Sequence, residues 1–374
     1  MTSVLFLIPT LGGGGAERVL VNLANYLDAS KYDVTVQTLF KAGVNVSGLK
    51  SKVHLIEGTR KLFAGYTQLM LLFSPKFLYK RIIKERYDVV VSYLEGPTAR
   101  IVSGCPYVDS RLVTWIHTGQ LNMKSLSHSF RSVRETVQCY SKFGRIVGVA
   151  DSVCETFSML LGMQDKLCTI YNTNDDTLIK AKALEKVTDM TFPEELKMIS
   201  VGRLIKLKGF DRLVEVHSRL IADGLHHHLY IMGQGEEKNA LIDLIKEKGV
   251  TDTAHIIPFN KNPYKYMAHA DLYVCSSLYE GFSTTVTEAL ILGIPVVSTS
   301  CSGAEELLGK NNEFGIVTEN STEGIYQGVK KMLDDKQLLR YYTLQARERG
   351  KRFSRENCVK AVECLIDSLV QTKA

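Results

Sequence analysis

The chain has 374 residues, 45% of them hydrophobic and 23% charged, which is too long for one ordinary domain and enough for two with separate cores. No stretch approaches the roughly 20 apolar residues of a membrane span. Its 8 cysteines include no Cys-x-x-Cys pair and read as free thiols of a reducing compartment, not as a disulfide framework or zinc site.

The net charge of +6 is unevenly spread. Residues 1–180 hold 21 Lys and Arg against 14 Asp and Glu, a surplus of +7, whereas the remainder holds 25 against 26. A basic first half suits anionic lipid headgroups or a phosphorylated acceptor, and it is too modest for nucleic acid.

In chain order, short apolar runs alternate with helical periodicity, the pattern of parallel sheets covered by helices on both faces. The first run, Val4 to Ile8, has no basic region before it and leads straight into glycines, so it reads as a buried strand and not a signal peptide. Further strands are predicted at 34–38, 89–92, 111–116 and 145–149. The segment 61–86 mixes Leu69, Leu72, Phe73 and Phe77 with Lys76, Lys80, Arg81 and Lys84, and fits either an interfacial helix on an anionic bilayer or a packed helix with a basic outer face. Residues 174–193 are polar and charged and are expected to hold the domain joint. The second half restarts the rhythm with strands predicted at 198–201, 228–232, 255–257, 272–275, 295–298 and 315–317. Residues 334–370 then read as one or two amphipathic helices broken near Phe353-Ser354.

The motifs fall after predicted strands, where ligands of doubly wound sheets bind. Pro9-Thr10-Leu11-Gly12-Gly13-Gly14-Gly15-Ala16-Glu17-Arg18 opens a helix whose backbone N–H groups can meet an anion. A dinucleotide fingerprint fails on spacing, since the third glycine of G-x-G-x-x-G would fall on or beside Glu17. Ligand contact and a bare packing turn are both open readings. His117 closes the strand 111–116 and is either structural or turned to a ligand.

Gly202-Arg203-Leu204-Ile205-Lys206-Leu207-Lys208-Gly209 offers one guanidinium fork and one ammonium to balance a leaving diphosphate; a merely solvated pair is the plain alternative. Gly233-Gln234-Gly235-Glu236 serves as a tight turn or a phosphate contact. The triple His226-His227-His228 is a poor chelator, because consecutive strand residues face opposite ways. No Asp-x-Asp occurs in the chain, so no metal site is assigned and the diphosphate falls to Arg203, Lys208 and backbone N–H groups. The run Ser276-Ser277 through Glu280-Gly281-Phe282-Ser283-Thr284-Thr285 enters a helix predicted to begin near Ser283 and to contain Glu288. Its free N–H groups would point at the same space as Glu280. A carboxylate suits hydroxyls better than phosphate, so Glu280 is expected on the sugar and Glu288 on a ribose diol; a surface glutamate and a helical salt bridge are the alternative.

With these residues laid out, the chain resembles over nearly its whole length the large retaining GT-B glycosyltransferase family called family four. The resemblance rests on Gly13-Gly14-Gly15-Ala16-Glu17-Arg18, on Gly202-Arg203 to Lys208-Gly209, and on Glu280 through Glu288 with Ala289-Leu290 and Gly293-Ile294-Pro295-Val296-Val297. It implies an α/β GT-B fold of two doubly wound, Rossmann-like domains facing across a cleft. An acceptor domain, 1–175, would be completed by the C-terminal helix 355–374, and 190–354 would bind the donor. The implied reaction moves a sugar from a nucleoside diphosphate, UDP foremost, to a saccharide or lipid-linked saccharide in capsule or other cell-surface polysaccharide synthesis. It would proceed with retention and with no metal or other cofactor, in the cytoplasm or at the inner face of the membrane.

Carried over by resemblance, Arg203 and Lys208 would bind the diphosphate, Glu280 the donor sugar and Glu288 the ribose. His117 would lie near the reacting carbon, and Ile257, Pro258 and Phe259 would frame the base. Gly14, Gly15, Gly202, Gly233, Gly281, Phe282, Ser283 and Thr284 would complete the donor-binding loops. Two features depart from the family pattern: Tyr171-Asn172-Thr173 stands where Pro-Asn-Gly is common, and Ser283 where glycine is frequent. Two other readings are a non-catalytic sugar-nucleotide-binding subunit and a GT-B epimerase; a phosphorylase would need a Schiff-base lysine pocket that the chain does not display.

Overall fold

The computed structural model describes residues 1–371 apart from 13, 42, 120, 121, 281 and 302, so the expected roles of Gly13 and Gly281 lie outside the described residues. Strands β1 (Thr2–Ile8), β2 (Tyr32–Thr38), β3 (His54–Ile56), β4 (Val89–Ser92), β5 (Arg111–Ile116), β6 (Arg145–Gly148) and β7 (Leu167–Thr169) form one sheet in the order β3-β2-β1-β4-β5-β6-β7. Strands β8 (Leu196–Val201), β9 (His227–Gly233), β10 (Ala254–Pro258), β11 (Leu272–Cys275), β12 (Val296–Thr299) and β13 (Ile316–Thr318) form a second, in the order β10-β9-β8-β11-β12-β13. Among the described residues every pairing is parallel. Counted from its own first strand, each sheet runs 3-2-1-4-5-6, with one more strand at the end of the first, and the order reverses at β1/β4 and at β8/β11. These are the topological switch points of a doubly wound sheet.

The elements follow from sequence. Val4-Leu5-Phe6-Leu7-Ile8 is wholly buried, a near-continuous apolar run of the kind that a parallel strand covered on both faces needs. The helix Phe210–Ala222 shows the other period and buries Phe210, Leu213, Val214, Val216, His217 and Leu220. It joins β8, β9 and β11 in the core of the second sheet through Met198, Leu229, Ile231 and Leu272, each such side chain stabilising by about 1.5–3 kcal/mol.

Two compact units result, Met1–Asn174 with Arg355–Ala374, and Asp175–Ser354. The helix Arg355–Gln371 is tied into the first unit by Tyr32 OH donating to Asp367 Oδ1 (2.6 Å), by Asp28 N–H donating to Glu363 Oε1 (2.9 Å) and by Arg111 Nε donating to the Leu369 carbonyl (3.1 Å). Helix Asp176–Ala183 clusters with the second unit, so that unit begins ahead of residue 190. Segment 61–86 holds two short helices, Tyr66–Leu71 and Pro75–Ile82. The break falls at Ser74, whose hydroxyl accepts from Phe77 N–H while Pro75 opens the second helix.

Candidate active site

In the second unit the loops after β8 and β11 meet at the switch point. The β8 loop closes with a short 3₁₀ turn, Lys206–Lys208, and then Gly209, whose φ of 59° lies in the left-handed region. A Cβ there would also stand 2.4 Å from the Ser276 carbonyl oxygen, so this close approach of the two loops admits glycine alone without rearrangement. Ser276 Oγ donates back to the Lys208 carbonyl (2.8 Å), and Arg212 donates to the Ser276 carbonyl and to Asn320 Oδ1 (3.0 Å for the latter). The two loops are thus fixed to each other before any ligand is considered.

That fixation brings Lys208 Nζ onto Glu280 Oε1 in a mostly buried ion pair, and Ser277 Oγ donates to the same carboxylate oxygen (2.9 Å). The two motifs read separately in the sequence are therefore one charged cluster. Arg203 is exposed on the same loop and, among the described residues, forms no ion pair. Gly202 lies under the stem of Lys208, with a Cβ position 3.5 Å from Lys208 Cε. Gly233 abuts the Gly202 carbonyl so closely that a Cβ would overlap it, so its glycine is demanded by packing between neighbouring strand ends.

Ser283 caps the helix Thr284–Leu292, its hydroxyl accepting from Val286 N–H (3.4 Å). The Thr284 and Thr285 N–H groups precede the intrahelical ladder and carry the positive end of the helix dipole. Tyr273 OH fixes Thr285 from below (2.8 Å). Glu288 is buried a turn further on and accepts from Tyr264 OH (3.0 Å). Ile257 and Phe282 are buried, the latter edge-to-face with Phe353, whereas Pro258 and Phe259 are exposed at the end of β10. Cys301 shares a thiol hydrogen bond with Cys275 beside Glu280; that bond and burial hold the Cys301 thiol protonated.

The first unit presents a different site at its own switch point. Gly14 and Gly15 open the helix Gly15–Tyr26 without a side-chain cap, and the Glu17 carboxylate lies directly against Gly14. The chain's own acid thereby complements the helix start. His117, after β5, donates its backbone N–H to Glu95 Oε2 (3.0 Å), while Thr118 Oγ1 donates to Glu95 Oε1. The imidazole stands 5.0 Å from the Tyr93 ring, and its Nε2 is buried with no hydrogen-bond partner among the described residues. Burial lowers its pKa from the ordinary 6.5, with Glu95 acting in the opposite direction, so the ring is neutral at pH 7.

Glu95, Tyr264, Ser277 and Arg212 were not singled out by sequence. Glu95 and Tyr264 stand alone in their segments, and only tertiary contacts reveal them. Ser277 lay inside a motif already read and could have been found there. The triple histidine divides between faces: His227 turns inward to His217 (2.9 Å) and His228 outward to His255 (3.2 Å).

The family model described as Glycosyltransferase Family 4 matches residues 13–177, and the one described as Glycosyl transferases group 1 matches residues 186–349. Among curated relatives, the N-acetylgalactosamine-N,N'-diacetylbacillosaminyl-diphospho-undecaprenol 4-alpha-N-acetylgalactosaminyltransferase of Campylobacter jejuni is 29% identical, over 93% of this chain and 94% of that protein. The amylovoran biosynthesis glycosyltransferase AmsD of Erwinia amylovora is 22% identical over 96% of this chain and 98% of its own length. The crystal structure of HepE from Anabaena in complex with UDP matches with a TM-score of 0.77 at 17% identity, covering 98% of this chain and 100% of that one. A sucrose-phosphate synthase from Thermosynechococcus elongatus matches with a TM-score of 0.79 at 15% identity, covering 100% of both chains. At such identities the structural likeness is one of fold. Both units being matched, the chain belongs to the group 1, family 4 glycosyltransferases, with the GT-B architecture.

Proposed function

We propose that the chain is a retaining, metal-independent glycosyltransferase that moves a sugar from a nucleoside diphosphate, UDP foremost, to a lipid-linked saccharide in cell-surface polysaccharide synthesis. The observation that carries this reading is the cluster at the β8/β11 switch point. Lys208, Glu280, Ser277 and the start of helix Thr284–Leu292 converge there, with Arg203 on the same loop.

In the proposed reaction the bond from the anomeric carbon to the diphosphate oxygen breaks as the acceptor oxygen bonds the same face of that carbon. The acceptor proton passes to the departing phosphate oxygen. Negative charge grows on the diphosphate, where Arg203, Lys208 and the Thr284 and Thr285 N–H groups supply preorganised positive charge. Glu280 takes sugar hydroxyls and Glu288, oriented by Tyr264, the ribose diol. The neutral His117 offers its unpartnered Nε2 to a sugar hydroxyl.

A lipid-linked acceptor is supported by the undecaprenol-linked substrate in the Campylobacter relative's name. It is supported also by the first unit's surface, where Leu72 and Phe77 are more than half exposed beside Lys76, Lys80 and Arg81. Such a face suits the peripheral docking of an enzyme whose acceptor sits in an anionic membrane. The test is incubation with UDP-, GDP- and dTDP-sugars, an undecaprenyl-diphosphate-linked saccharide and excess EDTA. Release of UDP with an α-linked product from an α-linked donor is expected. Donor binding without turnover, or loss of activity in EDTA, would overturn it.

A further inference from the structure

The amino-terminal edge of the second sheet carries a cavity of about 870 Å³ that this reading leaves unused. It is bounded by Leu196 at the start of β8, by Asp271 just before β11 and by Pro295 just before β12. The donor cluster stands beyond the carboxyl ends of the same strands, so the two sites occupy opposite edges of one sheet.

The cavity combines two kinds of surface. Its floor is apolar, with Leu184, Ile294 and Leu339 among the lining residues, and Leu184 is 87% exposed. Its wall is cationic: helix Lys336–Arg352 contributes Lys336, Arg340, Arg347 and Lys351, and Lys180 comes from another helix. Spacings of four, seven and four place the four cations on one helix face. Like charges four apart repel, and Lys336 sits at the positive end of the helix dipole, so helix stability alone does not account for the pattern.

Neighbouring acids engage two of these cations, Lys351 with Glu348 (2.5 Å) and Lys180 with Asp176 (3.5 Å), and leave the other three. Among the described residues Lys336, Arg340 and Arg347 form no ion pair. Asp271, the one carboxylate in the lining, is already engaged by Lys197 through its ammonium (3.1 Å) and its backbone N–H (2.8 Å).

We propose that this cavity binds a phosphate monoester carried on an apolar chain. Arg340 and Arg347 hold the phosphate, since a guanidinium fork matches its oxygens, and the chain lies along Leu184, Ile294 and Leu339. The volume falls in the range of small-molecule sites. An inorganic anion would leave the floor unused and a neutral amphiphile the wall, so the ligand chemistry must satisfy both. A soluble alkyl phosphate and a membrane lipid with a phosphate headgroup share that chemistry.

The experiment titrates the full chain calorimetrically with hexyl phosphate, hexanol and inorganic phosphate. It also measures flotation with phosphatidylcholine vesicles with and without phosphatidic acid. Hexyl phosphate is expected to bind at least tenfold more tightly than either partial ligand. Arg340→Ala/Arg347→Ala, whose side chains are exposed, should keep its circular dichroism spectrum and weaken that binding at least tenfold. Lys208→Ala, altered at the opposite edge, should bind hexyl phosphate as the parent does. Flotation that needs phosphatidic acid and is lost in the double variant assigns the site to a lipid, and hexyl phosphate binding without flotation assigns it to a soluble phosphate. Equal binding by parent and double variant, equal binding of hexanol, or no response to either probe would overturn the proposal.

Discussion

The two switch points share a topology and differ in what they hold. At β8/β11 the strand ends carry an ammonium, a carboxylate, a serine hydroxyl and a capped helix start, locked together by Gly209 and Arg212. At β1/β4 the glycine turn is covered by Glu17, and the polar residues are the neutral His117 and the Glu95 that anchors it. A repeated fold thus provides the location twice, while the chemistry is set by loop residues alone. On the proposed function, the second unit would meet negative charge and the first neutral hydroxyls.

The strongest way to break that contrast is to remove charge from each side. Lys208→Ala should lower turnover by about 10²–10³, the range for losing one preorganised electrostatic donor, with the circular dichroism spectrum unchanged. Glu17→Gln removes the charge that complements the first helix start and should change turnover by no more than about fivefold. Equal effects in a nucleotide-release assay would show that the first turn also handles the diphosphate.

Backbone geometry offers the next test. Gly209→Ala places a methyl group at positive φ and against the Ser276 carbonyl, and it should cost about 2 kcal/mol or more in a urea titration. Gly14→Ala, at φ −80°, meets only the flexible end of Glu17 and should be nearly neutral. These positions also show what the sequence made legible. The positions of most strands and the basic loop after β8 are legible because parallel strands are continuous apolar runs and because glycines bracket Arg203 and Lys208. The edge strands β3 and β7 were missed, since three residues with little full burial carry no apolar signature. The apolar spacing of segment 61–86 runs on through Ser74-Pro75 as in a single helix, and capping there divides it in two. The Lys208–Glu280 pair was hidden for a different reason: 72 residues separate the partners, and only the β8/β11 adjacency joins them.

Acid should separate the units by stability. In the second unit, burial lowers the pKa values of His217, to about 3, and of His227 and His255, whereas in the first His117 is lowered. A folded value below the unfolded 6.5 means that the unfolded chain binds more protons in between, so stability is constant above that window and falls as pH drops through it. His217 alone, wholly buried between His227 and Thr253, should cost about 2 kcal/mol at pH 5. The chain's one tryptophan, Trp115, lies on β5 and reports on the first unit. In urea at pH 5 the circular dichroism change should therefore begin before the Trp115 fluorescence change, and His217→Gln should draw the two together. Coincident transitions at pH 5 in the parent chain would refute the assignment.

The smallest effect expected is the most specific to the donor side. Tyr264 OH and Glu288 are both buried, and their 3.0 Å hydrogen bond fixes one carboxylate oxygen. Tyr264→Phe removes that donor without changing the ring, at a cost of about 1–2 kcal/mol. Should Glu288 hold the ribose diol, the diol is bound alike in the ground state and the transition state. The loss then appears as a donor KM raised about five- to twentyfold with kcat unchanged. A fall in kcat at constant KM would place Glu288 in the transfer step itself, and an unchanged KM with lowered stability would make the pair structural.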